Sequence, residues 1–249
     1  MVKFVNVSKS FKDVSGHENA LIRNLNLHFK PGDFAVIIGA NGSGKSTLLN
    51  LIAGSDLPDS GKILVNEQEV QTLKNYERSN IVSRIFQNPL QGSVAALSVI
   101  ENMRLAFLRG HSKGLKVGVN KDFKEFVKEK IFSLNLGLEN KMEQKMGTLS
   151  GGQRQALTLV MATLNESKIL LMDEPTAALD PKSALSLMEN ACKIIEDRKL
   201  TAIMVSHNLR EASSYGNRLL MLHTGNIVKD LDHKNKLKVT ATDLFEWLQ

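Results

Sequence analysis

The sequence has a single cysteine and no long apolar run. One cysteine, Cys192, cannot form an intrachain disulfide, and we expect it to be a small core residue. No Cys/His cluster has the spacing of zinc ligands. The longest apolar stretches, such as Phe34–Ile38, are far shorter than the roughly 18 residues that a membrane span needs. The start of the sequence lacks a signal-peptide pattern, so we expect a protein of the cytosol.

Proline is also scarce. With 5 prolines and 17 glycines in 249 residues, the composition excludes a fibrous or disordered protein, and the length fits one large α/β domain or two small ones. The net charge of +6 is scattered rather than gathered in a block, which is typical of a solvated surface and compatible with a weak preference for an anionic membrane face. No aromatic-basic motif supports nucleic-acid binding, so we expect no nucleic-acid partner.

The apolar pattern predicts a strand, a loop and a helix in the first quarter of the sequence. Residues 24–29 alternate between polar and apolar, which indicates a half-exposed antiparallel strand. Phe34–Ile38 is apolar throughout, as in a strand covered on both faces. Leucines and isoleucines then recur at helical spacing from Leu48 until Gly54, which we predict to be a C-terminal cap.

The middle of the sequence predicts helices inserted into a parallel sheet. Residues from about 88 to 164 lose strand character, and Lys121–Phe132 has an apolar helical face. Apolar strands return at residues 169–172 and 201–205 with a helix over Pro181–Asp197 between them, and residues 219–228 predict a hairpin. We therefore expect a single domain over residues 1–249, with a core of about 1–87 and 165–249 and a helical subdomain of about 88–164. The last twenty residues carry no readable motif.

Residues 39–46 form the pattern of a phosphate-binding loop between a buried strand and a helix. Backbone N–H groups at a helix N-terminus are a good receptor for a triphosphate, and glycines let the backbone approach it closely. Lys45 is expected to reach the β- and γ-phosphates, and the Ser46 hydroxyl to ligate Mg²⁺. We predict ATP contacts from Gly39, Ala40, Asn41, Gly42, Ser43, Gly44, Lys45, Ser46 and Thr47.

Two acidic residues, Asp173 and Glu174, directly follow the apolar strand at 169–172. A Mg-nucleotide site needs a carboxylate at such a strand end, and Asp173 fits this role. Glu174 is placed to polarise the water that attacks the γ-phosphate. Alone, the pair is as typical of a helix cap. Combined with the phosphate loop, it indicates a nucleoside triphosphatase.

Residues 149–155 hold the segment Leu-Ser-Gly-Gly-Gln-Arg-Gln, 23 residues (173 − 150) before the acidic pair when counted from its serine. This segment resembles the signature of the ATP-binding cassette (ABC) family. In that family the signature begins a helix and faces the γ-phosphate held by a second subunit. The resemblance implies that the ATP of the opposite subunit is contacted by Ser150, Gly151, Gly152 and Gln153.

Further motifs of this family follow in order. Phe86-Gln87-Asn88-Pro89 resembles the Q-loop, which implies that Gln87 contacts Mg²⁺ or the attacking water. Residues 177–181 resemble the D-loop, which implies that Asp180 lies across a dimer interface, although Ala177 stands where a serine is common. His207 matches the switch histidine that holds the γ-phosphate and water. Phe11 resembles the aromatic that stacks on adenine, with a plain core aromatic as the alternative.

The resemblance covers almost the whole chain and implies an α/β fold. This fold has a RecA-like P-loop NTPase core, an antiparallel β subdomain and an inserted α-helical signature subdomain. It also implies an ATP hydrolase that uses ATP and Mg²⁺ in a head-to-tail homodimer at the cytoplasmic face of a cell membrane, with transmembrane permease subunits. Residues 156–164 replace the usual arginine-containing helix and resemble a bacterial import subfamily that works with a substrate-binding lipoprotein.

Three other functions remain open at this level. One is an exporter or lipoprotein-release ATPase, because the catalytic residues do not encode direction. Another is an ABC ATPase that acts on nucleic acid or the ribosome, which usually has a coiled-coil insertion or two cassettes in one chain. The third, a regulator without turnover, is disfavoured by the presence of both Glu174 and His207.

Overall fold

The computed structural model describes residues 1–12, 18–110 and 118–248. Its strands are β1 Val2–Lys12, β2 Glu18–Phe29, β3 Phe34–Ile38, β4 Ser60–Val65, β5 Gln68–Glu69, β6 Val82–Ile85, β7 Ile169–Asp173, β8 Thr201–Val205, β9 Arg218–His223 and β10 Asn226–Leu231. Its α-helices are α1 Lys45–Ala53, α2 Asn75–Arg78, α3 Val99–Phe107, α4 Lys121–Phe132, α5 Gly151–Thr163, α6 Pro181–Asp197, α7 Leu209–Ser214, α8 His233–Lys236 and α9 Ala241–Leu248.

The strands form two sheets. An antiparallel sheet has the order β2-β1-β4-β5, and a larger sheet has the order β10-β9-β3-β8-β7-β6. In the larger sheet the strands from β9 to β6 are parallel, and only the β9–β10 hairpin is antiparallel. The carboxyl ends of parallel strands meet at one edge, where α/β sheets bind ligands. The residues that follow β3, β6, β7 and β8 therefore lie along the same edge.

The predicted doubly covered strand is confirmed by the packing of β3. Ala35 and Ile37 face the core between the two sheets, whereas Val36 and Ile38 face the core under α5, α6, α7 and α9. The predicted helices Lys121–Phe132 and Pro181–Asp197 are also confirmed, as is the C-terminal cap of α1, where Gly54 has a left-handed backbone. β3 is an uninterrupted apolar run, and the two helices have regular apolar faces over 12 and 17 residues, which is why the sequence predicts them well.

A third apolar core fills the helical region. It joins α3 and α4 to one face of α5, through residues such as Met103, Val127 and Leu157. The opposite face of α5, with Leu159 and Ala162, belongs instead to the core beneath the large sheet. The helix that begins at the signature segment is thus shared by both cores.

The C-terminal segment folds back onto the large sheet. Leu244 of α9 is fully buried, and α9 packs against α7, the helix that begins shortly after His207. Buried Lys236 of α8 donates hydrogen bonds to the backbone carbonyls of Tyr215 and Gly216 at the end of α7. Helices α8 and α9 are short, and the sequence pattern did not predict them. None of the described helices is long and apolar enough to cross a membrane.

Burial lowers the pKa of Lys236 from its ordinary value of 10.5 to about 8. Above about pH 8 the folded chain therefore releases a proton that the unfolded chain keeps until near 10.5. Stability rises with pH wherever the unfolded state binds more protons. We expect wild type to gain unfolding free energy over Lys236→Met between about pH 8 and about pH 10, measured by urea unfolding at matched ionic strength. A difference that stays flat or shrinks over this range would contradict a charged, desolvated Lys236.

Candidate functional site

The phosphate loop, residues 39–46, connects the carboxyl end of β3 to α1. Gly42 and Gly44 have φ angles of 76° and 105°, a backbone region that favours glycine. A Cβ on Gly39 would lie 2.2 Å from the carbonyl oxygen of Leu222 in β9, so only glycine fits there. The loop thus folds tightly against the sheet, and α1 begins at Lys45 with its N-terminus at the loop.

The Lys45 side chain is folded onto its own loop. Its ammonium group donates hydrogen bonds of 2.8 Å to the carbonyl oxygens of both Gly39 and Ala40. Burial lowers the pKa of this ammonium, and the negative charges of Glu174 and Asp173 partly oppose that shift. Lys45 is therefore a buried cation between the loop and the two carboxylates, where an anionic ligand would stabilise its charge.

Two serines of the loop are suited to a phosphate and a metal ion. Ser43 is 3% exposed, and its hydroxyl oxygen has no hydrogen-bond partner in the part of the chain that the structure describes. An unpaired buried hydroxyl is costly unless a ligand satisfies it. The Ser46 hydroxyl lies 3.4 Å from Oδ1 of Asp173, the last residue of β7. Ser46 and Asp173 thus offer two neighbouring oxygen donors at the sheet edge.

Glu174 and His207 meet where β7 and β8 end. Glu174 has a left-handed backbone with φ 46°, which is uncommon for a residue with a side chain, and its N–H donates to the carbonyl of Val205 at 3.0 Å. This turn brings its carboxylate to 2.7 Å from His207 Nε2. A carboxylate beside an imidazole can orient a water and exchange a proton with it. Local strain at this position suits a functional turn.

Glu211 of α7 links the two turns that carry this pair, although the sequence analysis gave it no role. Its carboxylate accepts hydrogen bonds from Thr176 Oγ1 at 2.7 Å and from Ser206 Oγ at 2.8 Å. Thr176 lies two residues after Glu174, and Ser206 directly precedes His207. The link fixes the separation of the two turns. The sequence offers only a weak signal for this link, because Ser206 directly precedes the predicted His207 while Thr176 lies between the acidic pair and the D-loop.

Gln87 follows β6 and is exposed at the sheet edge. The residue before it, Phe86, accepts a hydrogen bond from the side-chain amide of Gln155 at 3.0 Å. The same amide group donates to the carbonyl of Pro175 at 3.0 Å. Gln155 is fully buried in α5, and it joins the helix of the signature segment to the segments that carry Gln87 and Glu174. Gln155 lies in the signature segment, but nothing in the sequence indicated this role for it.

The signature segment begins α5 with a capping box. The Ser150 hydroxyl accepts from the N–H of Gln153 at 3.3 Å, and the Gln153 side chain accepts from the N–H of Ser150 at 3.2 Å. A Cβ on Gly152 would lie 2.5 Å from the Ser183 hydroxyl in α6, whereas one on Gly151 would meet nothing closer than 3.8 Å. Gly152 is needed for close helix packing, and Gly151 is not.

The D-loop residue Asp180 caps α6. Its carboxylate accepts hydrogen bonds from the N–H groups of Ser183 at 3.0 Å and Lys182 at 3.1 Å, and hydrogen bonding by Ser183 and Lys182 lowers the pKa of the Asp180 carboxyl. Asp180 itself is exposed. The signature segment therefore packs beside the D-loop, since Gly152 and Asp180 both neighbour Ser183.

Phe11 lies near the end of β1, opposite Asn19 in β2, and is 40% exposed. The ammonium group of Lys9 lies 5.2 Å from the centre of its ring. The same hairpin reaches the phosphate loop, because a Cβ on Gly44 would lie 3.2 Å from the carbonyl oxygen of Leu21 in β2. Phe11 thus presents an accessible aromatic face on the hairpin that borders the phosphate loop, and it is not part of the core.

Comparison with known proteins identifies the family. The ABC transporter family profile matches residues 22–177, which is more than half of the chain. The chain belongs to the ABC transporter family. The tyrosine transport ATP-binding protein of Clostridioides difficile is 40% identical over 246 residues, which cover 99% of this chain and 98% of that protein.

Two other relatives and one solved structure resemble this ABC ATPase. A phosphonates import ATP-binding protein of Lactococcus lactis is 35% identical, with 92% of each chain covered. The macrolide export ATP-binding/permease protein MacB of Campylobacter fetus is 33% identical, and the match covers 99% of this chain but 37% of that protein. The dimeric structure of a post-hydrolysis state of the ATP-binding cassette MJ0796 bound to ADP and Pi superposes with a TM-score of 0.82 at 28% identity, covering 94% of this chain and 99% of that one.

The fold class and the ATP hydrolase activity predicted from the sequence are thereby confirmed, and the ABC ATPase uses ATP with Mg²⁺. The donor set fits this ion, because Mg²⁺ prefers oxygen ligands and is usually bound through one or two carboxylates together with substrate phosphates. Ser46, Gln87 and Asp173 offer a hydroxyl, an amide and a carboxylate oxygen. Within the described residues, no group of three or more His, Cys, Asp or Glu side chains could hold a metal. The Mg²⁺ site predicted here depends on the phosphates to complete it.

Proposed function

We propose that this ABC ATPase is the ATP-hydrolysing subunit of a bacterial importer, with transmembrane permease subunits on separate chains at the cytoplasmic face of the cell membrane. The observation that carries the proposal is the end-to-end match, 99% against 98%, with an ATP-binding protein of a transport system. A second relative that matches over most of its length is named as an import protein. The export relative, by contrast, is mostly outside the match, since 37% of it is covered.

The geometry supports a separate role in ATP hydrolysis for each of the predicted site residues. The phosphate loop and Lys45 bind the phosphates, and Phe11 stacks on the adenine. Mg²⁺, held by Ser46, Asp173 and Gln87, would neutralise phosphate charge when bound. Glu174 accepts the proton of the attacking water as its general base, and the contact of 2.7 Å between its carboxylate and His207 Nε2 keeps the carboxylate oriented.

We also propose that two copies of the chain complete each site. Ser150 and Asp180 are both exposed, and they lie at the first turns of the neighbouring helices α5 and α6. Within the described chain, each side chain caps its own helix and has no other role. Ser150, Gly151, Gly152 and Gln153 form a helix N-terminus, which is a natural receptor for the γ-phosphate of a partner. A head-to-tail homodimer satisfies both copies by symmetry. The resemblance of residues 156–164 to an import subfamily supports a substrate-binding lipoprotein as a further partner.

The test is to co-express the chain with candidate permease subunits, purify the complex and reconstitute it in lipid vesicles with MgATP on the side of the ATPase. We expect ATP turnover to rise when the transported solute is present on the opposite side of the membrane, and labelled solute to move toward the ATPase side. A complex with Glu174→Gln serves as the control and should move none. Movement of solute away from the ATPase side would contradict import and favour the exporter alternative.

A further inference from the structure

Arg84 is a charged residue within an otherwise buried strand, and no motif discussed above includes it. It lies in β6, two residues before Phe86 and three before Gln87. β6 pairs in parallel with β7, the strand that ends at Asp173. The Arg84 and Asp173 side chains are only 12% and 14% exposed. A charge at this place must therefore be explained by its partners.

The guanidinium group of Arg84 connects three segments of the site. Its two terminal nitrogens contact different partners: one lies 2.6 Å from Oδ2 of Asp173, and the other donates at 2.6 Å to Oδ1 of Asn50 in α1. The guanidinium carbon, Cζ, lies 4.8 Å from the centre of the Phe86 ring. The planar fork of an arginine can hold two acceptors and an aromatic face at once, which a lysine cannot do.

This arrangement divides the two oxygens of Asp173 between different neighbours. Oδ2 faces Arg84, and Oδ1 faces the Ser46 hydroxyl at 3.4 Å. The remaining Nε–H of Arg84 is buried, with no hydrogen-bond partner among the described residues. A partly unsatisfied buried guanidinium is an expensive way to stabilise a fold. Its cost is better explained by the orientation that it gives to Asp173.

We propose that Arg84 is a positioning residue for Mg²⁺. It holds one oxygen of Asp173 so that the other faces the Ser46 side of the site, and it ties this carboxylate to the phosphate-loop helix through Asn50. The inference deepens the proposed function, because it rests on the metal role given there to Ser46 and Asp173. The contact with Phe86 extends the same support toward Gln87.

The competing explanation is that Arg84 only neutralises charge. Replacing it with methionine would then strengthen Mg²⁺ binding, because a positive charge near the ion is removed, and replacing it with lysine would change little. Positioning predicts the opposite pattern. Both variants lose the fork that holds Asp173 and Asn50 together, so both should bind Mg²⁺ more weakly.

The experiment measures binding in place of turnover. Arg84→Lys and Arg84→Met are each combined with Glu174→Gln, and the affinity for a fluorescent ATP analogue is followed while MgCl₂ is titrated. Loss of a residue that orients a metal ligand typically costs 10- to 100-fold in metal affinity, so we expect the half-saturating Mg²⁺ concentration to rise about tenfold or more in both variants. Affinity for the analogue in EDTA should remain unchanged. Arg23→Met, a change at an exposed arginine of β2, is the matched control.

Three results would overturn the positioning role of Arg84. Wild-type Mg²⁺ dependence in both arginine variants, or tighter Mg²⁺ binding in Arg84→Met alone, would overturn the proposal. So would an equal loss of affinity with and without Mg²⁺ accompanied by a lower Tm, which indicates a merely structural role. Asp173→Asn, measured in parallel, separates this inference from the proposed function: if that variant also keeps wild-type Mg²⁺ dependence, the metal role of Asp173 itself is wrong.

Discussion

Replacing Glu174 with glutamine should reduce ATP turnover of this ABC ATPase by a factor of about 10² to 10⁴ while ATP binding persists. Glutamine keeps the size of the side chain and can occupy the same place beside His207, whose Nε2 lies 2.7 Å from the Glu174 carboxylate. The glutamine side chain cannot accept a proton from water, so the proposed general base is lost. The measurement is phosphate release at saturating MgATP. Because hydrolysis would reopen the dimer, ATP and Mg²⁺ should also shift the variant from monomer to dimer in size-exclusion chromatography.

Glu189→Gln is a suitable control for this prediction, because Glu189 is an exposed acid on α6 that has no part in the proposed site. It should hydrolyse ATP at the wild-type rate and form no stable dimer. Wild-type turnover in Glu174→Gln would remove Glu174 from the reaction. The turn that carries it, with φ 46° at Glu174, would then need another explanation.

Mixing two inactive variants should restore activity if each site is built from two chains. Lys45→Met removes the ammonium group that we propose to bind phosphate, and Gly151→Asp places a negative charge where a partner's γ-phosphate is proposed to bind. Each variant alone forms dimers in which both sites are defective. In a mixed dimer the intact Lys45 of one chain meets the intact signature of the other. With half of the dimers mixed and one of two sites working, we expect about a quarter of wild-type turnover.

Gly151 is the better signature position for this experiment. A Cβ there meets nothing closer than 3.8 Å, whereas one on Gly152 would clash with Ser183 in α6. An aspartate in the first turn of α5 also interacts favourably with the helix dipole. Gly151→Asp should therefore keep or raise the Tm of the chain while abolishing hydrolysis. Loss of activity without loss of stability indicates that the substituted residue contacts the ligand.

The outcome of mixing distinguishes two arrangements of the site. If each chain carried a complete site, both variants would stay inactive in every combination, because every chain would contain one defect. Mixed samples with less than a few per cent of wild-type turnover would thus contradict the head-to-tail proposal. Cross-linked mixed dimers control for slow exchange of chains. Wild type mixed with Lys45→Met shows how a single working site performs.

The sequence predicts those elements whose conformation depends on residues close together in the chain. The strand Phe34–Ile38 and the helix Pro181–Asp197 agree with the structure at both ends, because an uninterrupted apolar run and a regular helical face are local patterns. Glycine spacing likewise predicts the phosphate loop. The adjacency of Glu174 and His207 required more than spacing, since it depends on β7 and β8 being neighbours in the sheet.

The roles of Arg84, Gln155 and Glu211 depend on contacts between distant segments. Gln155 reaches Phe86 and Pro175, which are 69 and 20 residues away in sequence. No local pattern encodes such contacts. Arg84 gave one signal, a cation inside a buried strand, but only the sheet order identifies its partner as Asp173. Helices α8 and α9 were missed because four and eight residues are too few for a clear period.

Helix α5 has a mechanical consequence for the whole molecule. Leu157 on one face belongs to the core of the helical region, and Leu159 on another belongs to the core beneath the large sheet. Gln155 ties the first turns of the same helix to the backbone carbonyls of Phe86 and Pro175, which adjoin Gln87 and Glu174. A rotation imposed on the helical region from outside would therefore move α5 within the core beneath the large sheet. Gln155, in the second turn of α5, would pass this movement to the segments that carry Gln87 and Glu174.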